Sequence, residues 1–144
     1  MKEKKEISTI DELLEVVRTY ISDESEIETI EKAYEYAKEV HKGAKRLSGE
    51  DYILHPLNVA YILTSLNADS DTIATALLHD VIHKGNANIE DIREKFGDEI
   101  GDLVESITTI NKLSLSAENE SITNYYKKKG ILQKDIRIKK LMND

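Results

Sequence analysis

The stretch "ALLHDVIHKG", residues 76–85, places a histidine beside an aspartate in an apolar run, with another histidine and a lysine close behind. Adjacent residues on a helix diverge by about 100°, so His79 and Asp80 reach one ion only if it lies off the helix flank. His79 and His83, four residues apart, would share a helix face. The buried carboxylate needs a partner to offset its desolvation, and the dipeptide alone fits a metal ion or nearby amide groups.

A third candidate ligand, His55, lies far away in the sequence. The stretch "GEDYILHP", residues 49–56, leads from a glycine-containing loop into a proline, which is well suited to the first turn of a helix. His55 alone would be a plain cap residue, but the loop could bring it across to the His79 and Asp80 pair. The chain has no cysteine, which excludes thiolate sites and favours a hard or borderline divalent ion.

Composition and charge limit the classes of protein that the chain can belong to. With 144 residues, of which 40% are hydrophobic, the chain is predicted to be a single domain over residues 1–144. No run approaches the ~18 apolar residues of a membrane span, and the N-terminus "MKEKKEISTI" lacks a signal-peptide core, so we expect a cytoplasmic protein. The net charge of −8 argues against nucleic acid as a partner. Seven basic and two acidic residues in 127–144 are typical of a solvated helix face.

The elements that would position these residues are predicted to be helices throughout. Thr9 and Glu12 form a capping-box pattern, and Asn88 can cap a helix that ends at Gly97. The predicted helices follow in chain order: one from Thr9 to about Ser22, one over Glu24–Lys42, one opened by His55 and Pro56, one from Asp69, Ser70 or Asp71 to Gly85, one over 88–97, and one in "DEIGDLVESITTI". The fourth is apolar on all sides and is predicted to be the central buried helix. Residues 43–55 are predicted to be a structured loop.

Three segments together closely resemble the hydrolase domain of RelA/SpoT-type alarmone enzymes: "AYEYAKEVHKGAKRLSGEDYILHPLNVAYIL", "TIATALLHDVI" and "FGDEIGDLVESITTI". Those enzymes are all-helical HD-superfamily proteins that remove pyrophosphate from the 3′ position of (p)ppGpp with manganese. The resemblance covers about residues 9–113, and "ENESITNYYKKKGILQKDIRIKK" is similar to the next part of that domain in shortened form. It implies a compact multi-helix HD fold, one divalent metal with Mn²⁺ expected, and ppGpp, pppGpp or a related nucleotide as ligand.

Carried over by position, the resemblance makes His55, His79 and Asp80 the first three metal ligands. Arg46 and Ser48 match the family's Arg-x-Ser loop for the guanine nucleotide, although a leucine stands between them where a basic residue is usual. Arg46 could stack on the base and Ser48 could bond its edge. The alternative for both residues is a plain surface loop.

One departure from the family lies next to the His79 and Asp80 pair. The family has Glu-Asp, acidic groups that manage the attacking water, where this chain has His83 and Lys84. His83 could act as the base, because histidine is the side chain that titrates near neutral pH, or it could become an extra ligand. Lys84 could pair with Asp80 and weaken metal binding, or it could hold a phosphate. Alternatively, both changes remove catalytic function.

A second departure concerns the fourth ligand, which in the family is an aspartate in a "KLAD"-like segment. Here "KDIRIKKLMND" reaches Asp144, which we do not expect to serve because terminal residues are usually frayed. GTP pyrophosphokinase activity is not expected, since the chain lacks the family's synthetase part. The leading hypothesis is a weakened metal-dependent (p)ppGpp phosphohydrolase. The alternatives are a degenerate nucleotide- or partner-binding module and a helical module whose site is a relic. A protein partner or a homo-oligomer stays open.

Overall fold

The computed structural model describes residues 6–113, with side chains for residues 6–108. Six helices make up this part of the chain: α1 Ile10–Val17, α2 Glu24–Val40, α3 Leu54–Thr64, α4 Ser70–Leu78, α5 Ile89–Phe96 and α6 Asp98–Leu113. Its only β-type pairing is one isolated bridge between Lys45 and Asp51. The all-α prediction is therefore confirmed. The predictions for residues 114–144, including the expectation that Asp144 is not a ligand, lie outside the described residues.

Local capping signals determine where several helices begin and end. The Thr9 hydroxyl accepts a hydrogen bond from the Glu12 amide at 3.2 Å, and the Glu12 carboxylate accepts one from the Thr9 amide at 3.2 Å. Asn88 caps α5 by accepting from the Asp91 amide at 2.8 Å. Gly97 ends α5 with φ of 92°, a conformation that glycine adopts without steric cost. These caps agree with the prediction from sequence.

The centre of the core is α4, as predicted. All of its residues except Asp71 are buried, and it packs against α2, α3 and α6. Ile73, Leu77 and Leu78 are fully buried, and burial of each such side chain stabilises the fold by about 1.5–3 kcal/mol. The C-terminal end of α4 is therefore held on several sides, which anchors the residues that follow it.

The prediction that α4 continues to Gly85 is wrong. The helix ends at Leu78, His79 is its C-cap, and turns follow as far as Lys84. The Ala76 carbonyl accepts from both the backbone N–H of His79 at 3.4 Å and the ring Nδ1 of His79 at 2.6 Å. In a continuing helix that carbonyl would accept from the amide of Asp80. The ring of His79 thus competes for the bond that would extend the helix.

Other helix boundaries differ from the prediction as well. Helix α1 ends at Val17 rather than near Ser22, α2 ends at Val40 rather than Lys42, and α3 begins at Leu54, so that Pro56 lies in its first turn. The predicted structured loop between α2 and α3 is a short hairpin: the Arg46 amide bonds the Glu50 carbonyl at 2.9 Å, and Gly49 has φ of 92°. Among the described helices, none is long and apolar enough to cross a membrane.

Candidate metal centre

The start of α3 and the end of α4 meet because these consecutive helices pack against each other after a short turn. His55 lies in the first turn of α3, where the buried Leu57 fixes the helix in the core. His79 and Asp80 leave the end of α4 directly beside it. Helix packing therefore brings together residues that are 24 positions apart in the sequence.

His55, His79 and Asp80 form one cluster. Each offers one ligand atom, and these atoms all lie within 4.8 Å of one another. Oδ2 of Asp80 is 3.0 Å from Nε2 of His79 and 3.8 Å from Nε2 of His55. Their side chains are 9%, 3% and 16% exposed, respectively. The three residues predicted as metal ligands thus share one buried position, of which His55 is the most exposed member.

The hydrogen bonds of His79 indicate what this cluster can hold. A carbonyl oxygen only accepts, so Nδ1 of His79 carries the proton that it donates to Ala76. In the neutral ring, Nε2 then turns its lone pair toward the carboxylate of Asp80 at 3.0 Å. Two acceptors this close need a proton or a cation between them. Two imidazole nitrogens and a carboxylate oxygen are a donor set that fits a divalent metal ion.

The electrostatics of the cluster also favour a bound cation. Burial opposes ionisation of Asp80, but the hydrogen bond and charge of a protonated His79, together with the hydrogen bond from Tyr52, hold the pKa of Asp80 below its usual value. Burial, assisted by His79 and Arg46, lowers the pKa of His55 to about 4. At neutral pH the carboxylate is therefore ionised and His55 is neutral, which are the protonation states that metal binding requires.

Sequence reasoning missed Tyr52. Its hydroxyl donates a 2.5 Å hydrogen bond to Oδ2 of Asp80, the oxygen that faces both histidines. Burial and the hydrogen bond to Asp80 raise the pKa of Tyr52, so the hydroxyl keeps its proton. The only signal in the sequence is that Tyr52 lies three residues before His55 in the loop, and this spacing does not by itself indicate a bond to Asp80.

His41 lies four residues after Ala37, on the apolar stripe of the helix predicted over Glu24–Lys42, and it is buried, at 4% exposure. It caps the C-terminus of α2, and its ring lies 4.8 Å from the ring of Tyr52, centroid to centroid. Burial lowers the pKa of His41, against the opposing charge of Asp80. His41 therefore lies in the wall of the site rather than only in the apolar core.

The predicted nucleotide loop lies only partly at the site. Arg46 and His55 line the same cleft of about 280 Å³, whose other walls include Leu54, Asn58 and Ile62. Ser48 is exposed near the tip of the loop and is not among the residues that line this cleft. A larger cleft of about 770 Å³, between α2 and α5, contains none of the predicted site residues.

His83 and Lys84, the predicted catalytic residues, are exposed in the turn after Asp80. Within the part of the chain that the structure describes, neither side chain bonds to the cluster, and His83 is not in the group of candidate ligands. The ion pair considered for Lys84 and Asp80 does not form. Lys84 instead donates its backbone N–H to the Asp80 carbonyl at 2.8 Å. The catalytic roles of both residues stay predictions.

Several known proteins are similar to this chain in sequence. The guanosine-3′,5′-bis(diphosphate) 3′-pyrophosphohydrolase of Aquifex aeolicus is 46% identical over 100 residues, which are 69% of this chain and 14% of that protein. The Spiroplasma citri protein of the same name is 37% identical over 129 residues, 89% of this chain and 17% of that protein. GTP pyrophosphokinase rsh of Brucella melitensis is 43% identical over 128 residues, 88% of this chain and 17% of that protein.

This chain therefore spans 14–17% of the length of these relatives. The relatives confirm the resemblance to RelA/SpoT-type alarmone enzymes. Residues 33–139 match the HD domain family, so the similarity continues past residue 113, about where the close resemblance to alarmone hydrolases ends. Since this match covers well over half of the chain, the chain belongs to the HD domain family.

Proposed function

We propose that this chain binds one Mn²⁺ ion through His55, His79 and Asp80 and hydrolyses the 3′ pyrophosphate of a guanosine polyphosphate at a reduced rate. The observation that carries the proposal is the cluster of two imidazoles and one carboxylate, whose ligand atoms lie within 4.8 Å of one another. Similarity to two proteins named as guanosine-3′,5′-bis(diphosphate) 3′-pyrophosphohydrolases supports the choice of substrate. A cytoplasmic location is part of the same proposal.

In the proposed reaction, water adds to the phosphorus atom next to the 3′ oxygen and the bond between that phosphorus and the 3′ oxygen breaks. The 3′ oxygen gains a proton and pyrophosphate leaves. When bound, the ion supplies Lewis acidity at the phosphoryl oxygen and lowers the pKa of the attacking water. His55, His79 and Asp80 would hold the ion, and the burial of their side chains limits access of bulk water.

The reduced rate follows from the acid and base groups at hand. Among the described residues, Asp80 is the one carboxylate in the cluster. As a proposed metal ligand, it does not also serve as the acid or base. A positioned group that takes or gives a proton typically contributes 10²- to 10⁴-fold to a rate. His83 and Lys84 are exposed and make no bond to the described cluster, so this contribution is expected to be small.

Arg46 is proposed to hold the nucleotide. Its guanidinium lies at the cleft that opens on His55, where a planar cation can stack on a base or pair with a phosphate. Lys45, the neighbouring cation, is instead paired with Asp51 at 2.5 Å. Arg46→Ala is therefore expected to weaken ppGpp binding about tenfold, while Lys45→Ala leaves it within about twofold, as the exposed pair contributes little. Equal losses for the two variants would contradict this assignment.

Pyrophosphate release from ppGpp by metal-free protein, measured with and without Mn²⁺, tests the whole proposal. We expect slow release that depends on the ion. Binding of both ion and nucleotide with no product would instead favour the second candidate, a nucleotide-binding module that has lost turnover. The exposed positions of His83 and Lys84 favour that candidate specifically. A protein that binds neither Mn²⁺ nor ppGpp would overturn both functions.

A further inference from the structure

His41 is a buried polar residue that the proposed reaction does not use. It is 4% exposed, and neither ring nitrogen has a hydrogen-bond partner among the described residues. Burying a polar group without a partner is unfavourable, and in native proteins such groups often have a role at a functional site. Leucine or phenylalanine would fill the same space without this cost. Packing alone therefore does not account for a histidine here.

The surroundings of His41 connect it to the metal centre. Its ring lies 4.8 Å from the ring of Tyr52, which lies 5.8 Å from the ring of His55, which lies 5.2 Å from the ring of His79. The four rings form a continuous row from the end of α2 to the end of α4. The carboxylate of Asp80 bonds to Tyr52 and contacts both histidines of the centre.

Tyr52 is placed to set the orientation of Asp80. Its hydroxyl donates to Oδ2 at 2.5 Å, and that oxygen also faces Nε2 of His79. A carboxylate held in this way presents its remaining lone pair in a fixed direction. Outer hydrogen bonds to metal ligands typically change metal affinity or activity by about 10- to 100-fold. Because Tyr52 lies 28 residues from Asp80, it also ties the loop before α3 to the turn after α4.

We propose that Tyr52 and His41 are positioning residues of the metal centre. Tyr52 orients the Asp80 carboxylate through its hydrogen bond, and His41 orients the Tyr52 ring through their ring contact. His41 is not itself a ligand, because the described group of ligand atoms within 4.8 Å of one another contains His55, His79 and Asp80 without it. This inference rests on the metal site of the proposed function but does not require hydrolysis.

Mn²⁺ affinity, measured on metal-free protein by the electron paramagnetic resonance signal of the free ion, tests the role of Tyr52. Tyr52→Phe removes the hydroxyl and keeps the ring, and we expect it to weaken Mn²⁺ binding by about 10- to 100-fold. Tyr36→Phe is the matched control, since the Tyr36 hydroxyl donates a similar 2.6 Å hydrogen bond to Asp91 between α2 and α5. Its Mn²⁺ affinity should equal that of the unmodified protein. Equal affinities for both variants would overturn the role of Tyr52.

His41→Leu, which removes the ring in contact with Tyr52 and fills the same space, separates positioning from packing. If His41 positions Tyr52, this variant binds Mn²⁺ about tenfold more weakly, at the lower end of the range for such contacts, while its stability in a chelator is unchanged or higher. If His41 only fills space, Mn²⁺ affinity does not change. His41→Gln, which also lacks the ring but keeps a polar side chain, provides the same comparison should the leucine variant fail to fold. Unmodified affinity in the folded variants would refute the role of His41.

The same measurements distinguish this inference from the proposed function. Unmodified protein that binds no Mn²⁺ overturns both. Mn²⁺ binding that Tyr52→Phe and His41→Leu leave unchanged overturns the positioning roles alone. Mn²⁺ binding that these variants weaken, in a protein that releases no pyrophosphate from ppGpp, supports the positioning roles and overturns the hydrolase function alone.

Discussion

Replacing Asp80 by asparagine tests the metal centre directly, because one oxygen atom of Asp80 makes its contacts with Tyr52, His79 and His55. Oδ2 accepts from the Tyr52 hydroxyl at 2.5 Å and lies 3.0 Å from His79 Nε2 and 3.8 Å from His55 Nε2. At that atom, asparagine can accept from Tyr52 through its oxygen or donate to His79 through its amide, so one bond survives. Without metal, we expect the free energy of unfolding to change by about 1 kcal/mol or less.

With Mn²⁺ present, the expected difference is much larger. A neutral amide lacks the charge by which Asp80 attracts a divalent ion. At an ion concentration of about 100 times Kd, binding adds about 2.7 kcal/mol to the free energy of unfolding of the unmodified protein. For a domain of this size, each kcal/mol raises Tm by about 4 °C, so Mn²⁺ should raise Tm by about 10 °C. Asp80→Asn should lose nearly all of this increase.

Thermal unfolding followed by circular dichroism, in a chelator and in Mn²⁺, measures both quantities. Asp91→Asn is the control, because Asp91 also accepts a hydrogen bond from a tyrosine hydroxyl, that of Tyr36 at 2.6 Å, but is not in the described ligand group. It should keep the full increase in Tm. If Asp80→Asn also keeps that increase, Asp80 does not bind the ion and the reasoning is refuted.

Three further predictions concern catalysis, pH and the core. The double variant His83→Glu, Lys84→Asp should release pyrophosphate from ppGpp about 100-fold faster in Mn²⁺; an unchanged rate would show that the missing acidic pair is not what limits turnover. Burial lowers the pKa of His55 from 6.5 to about 4, so the unfolded chain takes up this proton first as the pH falls. In a chelator, the free energy of unfolding from urea titrations should therefore fall between pH 6.5 and 4, by at most about 1.4 kcal/mol per pH unit and less after solvent screening. His55→Gln should flatten this dependence, and an unchanged slope would assign it to other groups. Leu77→Ala, at a fully buried position of α4, should lower the free energy of unfolding, measured by chemical denaturation, by about 2–5 kcal/mol. Leu66→Ala, at a half-exposed position, should lower it by about 0.5 kcal/mol. Equal losses would contradict the central position of α4.

Features that depend on neighbouring residues could be predicted from the sequence. The capping box of Thr9 and Glu12 and the end of α5 at Gly97 each involve groups within a few positions of one another. The prediction that α4 continues to Gly85 was wrong, although the bond responsible also joins neighbouring residues. Its apolar pattern persists past Leu78, but the ring of His79 competes for the Ala76 carbonyl, and hydrophobic periodicity contains no information about that bond.

The sequence by itself determined the helical class, the buried central helix and the residue types for a metal centre, because periodicity, capping and side-chain chemistry are local properties. Only the tertiary structure decided which groups meet around Asp80. The hydrogen bond from Tyr52 spans 28 positions, and the contact of His41 with Tyr52 joins the end of one helix to the loop before the next. Such pairings depend on how α2, α3 and α4 pack, and a tyrosine in a loop or a histidine on an apolar stripe has the same sequence pattern whether or not it meets a metal ligand.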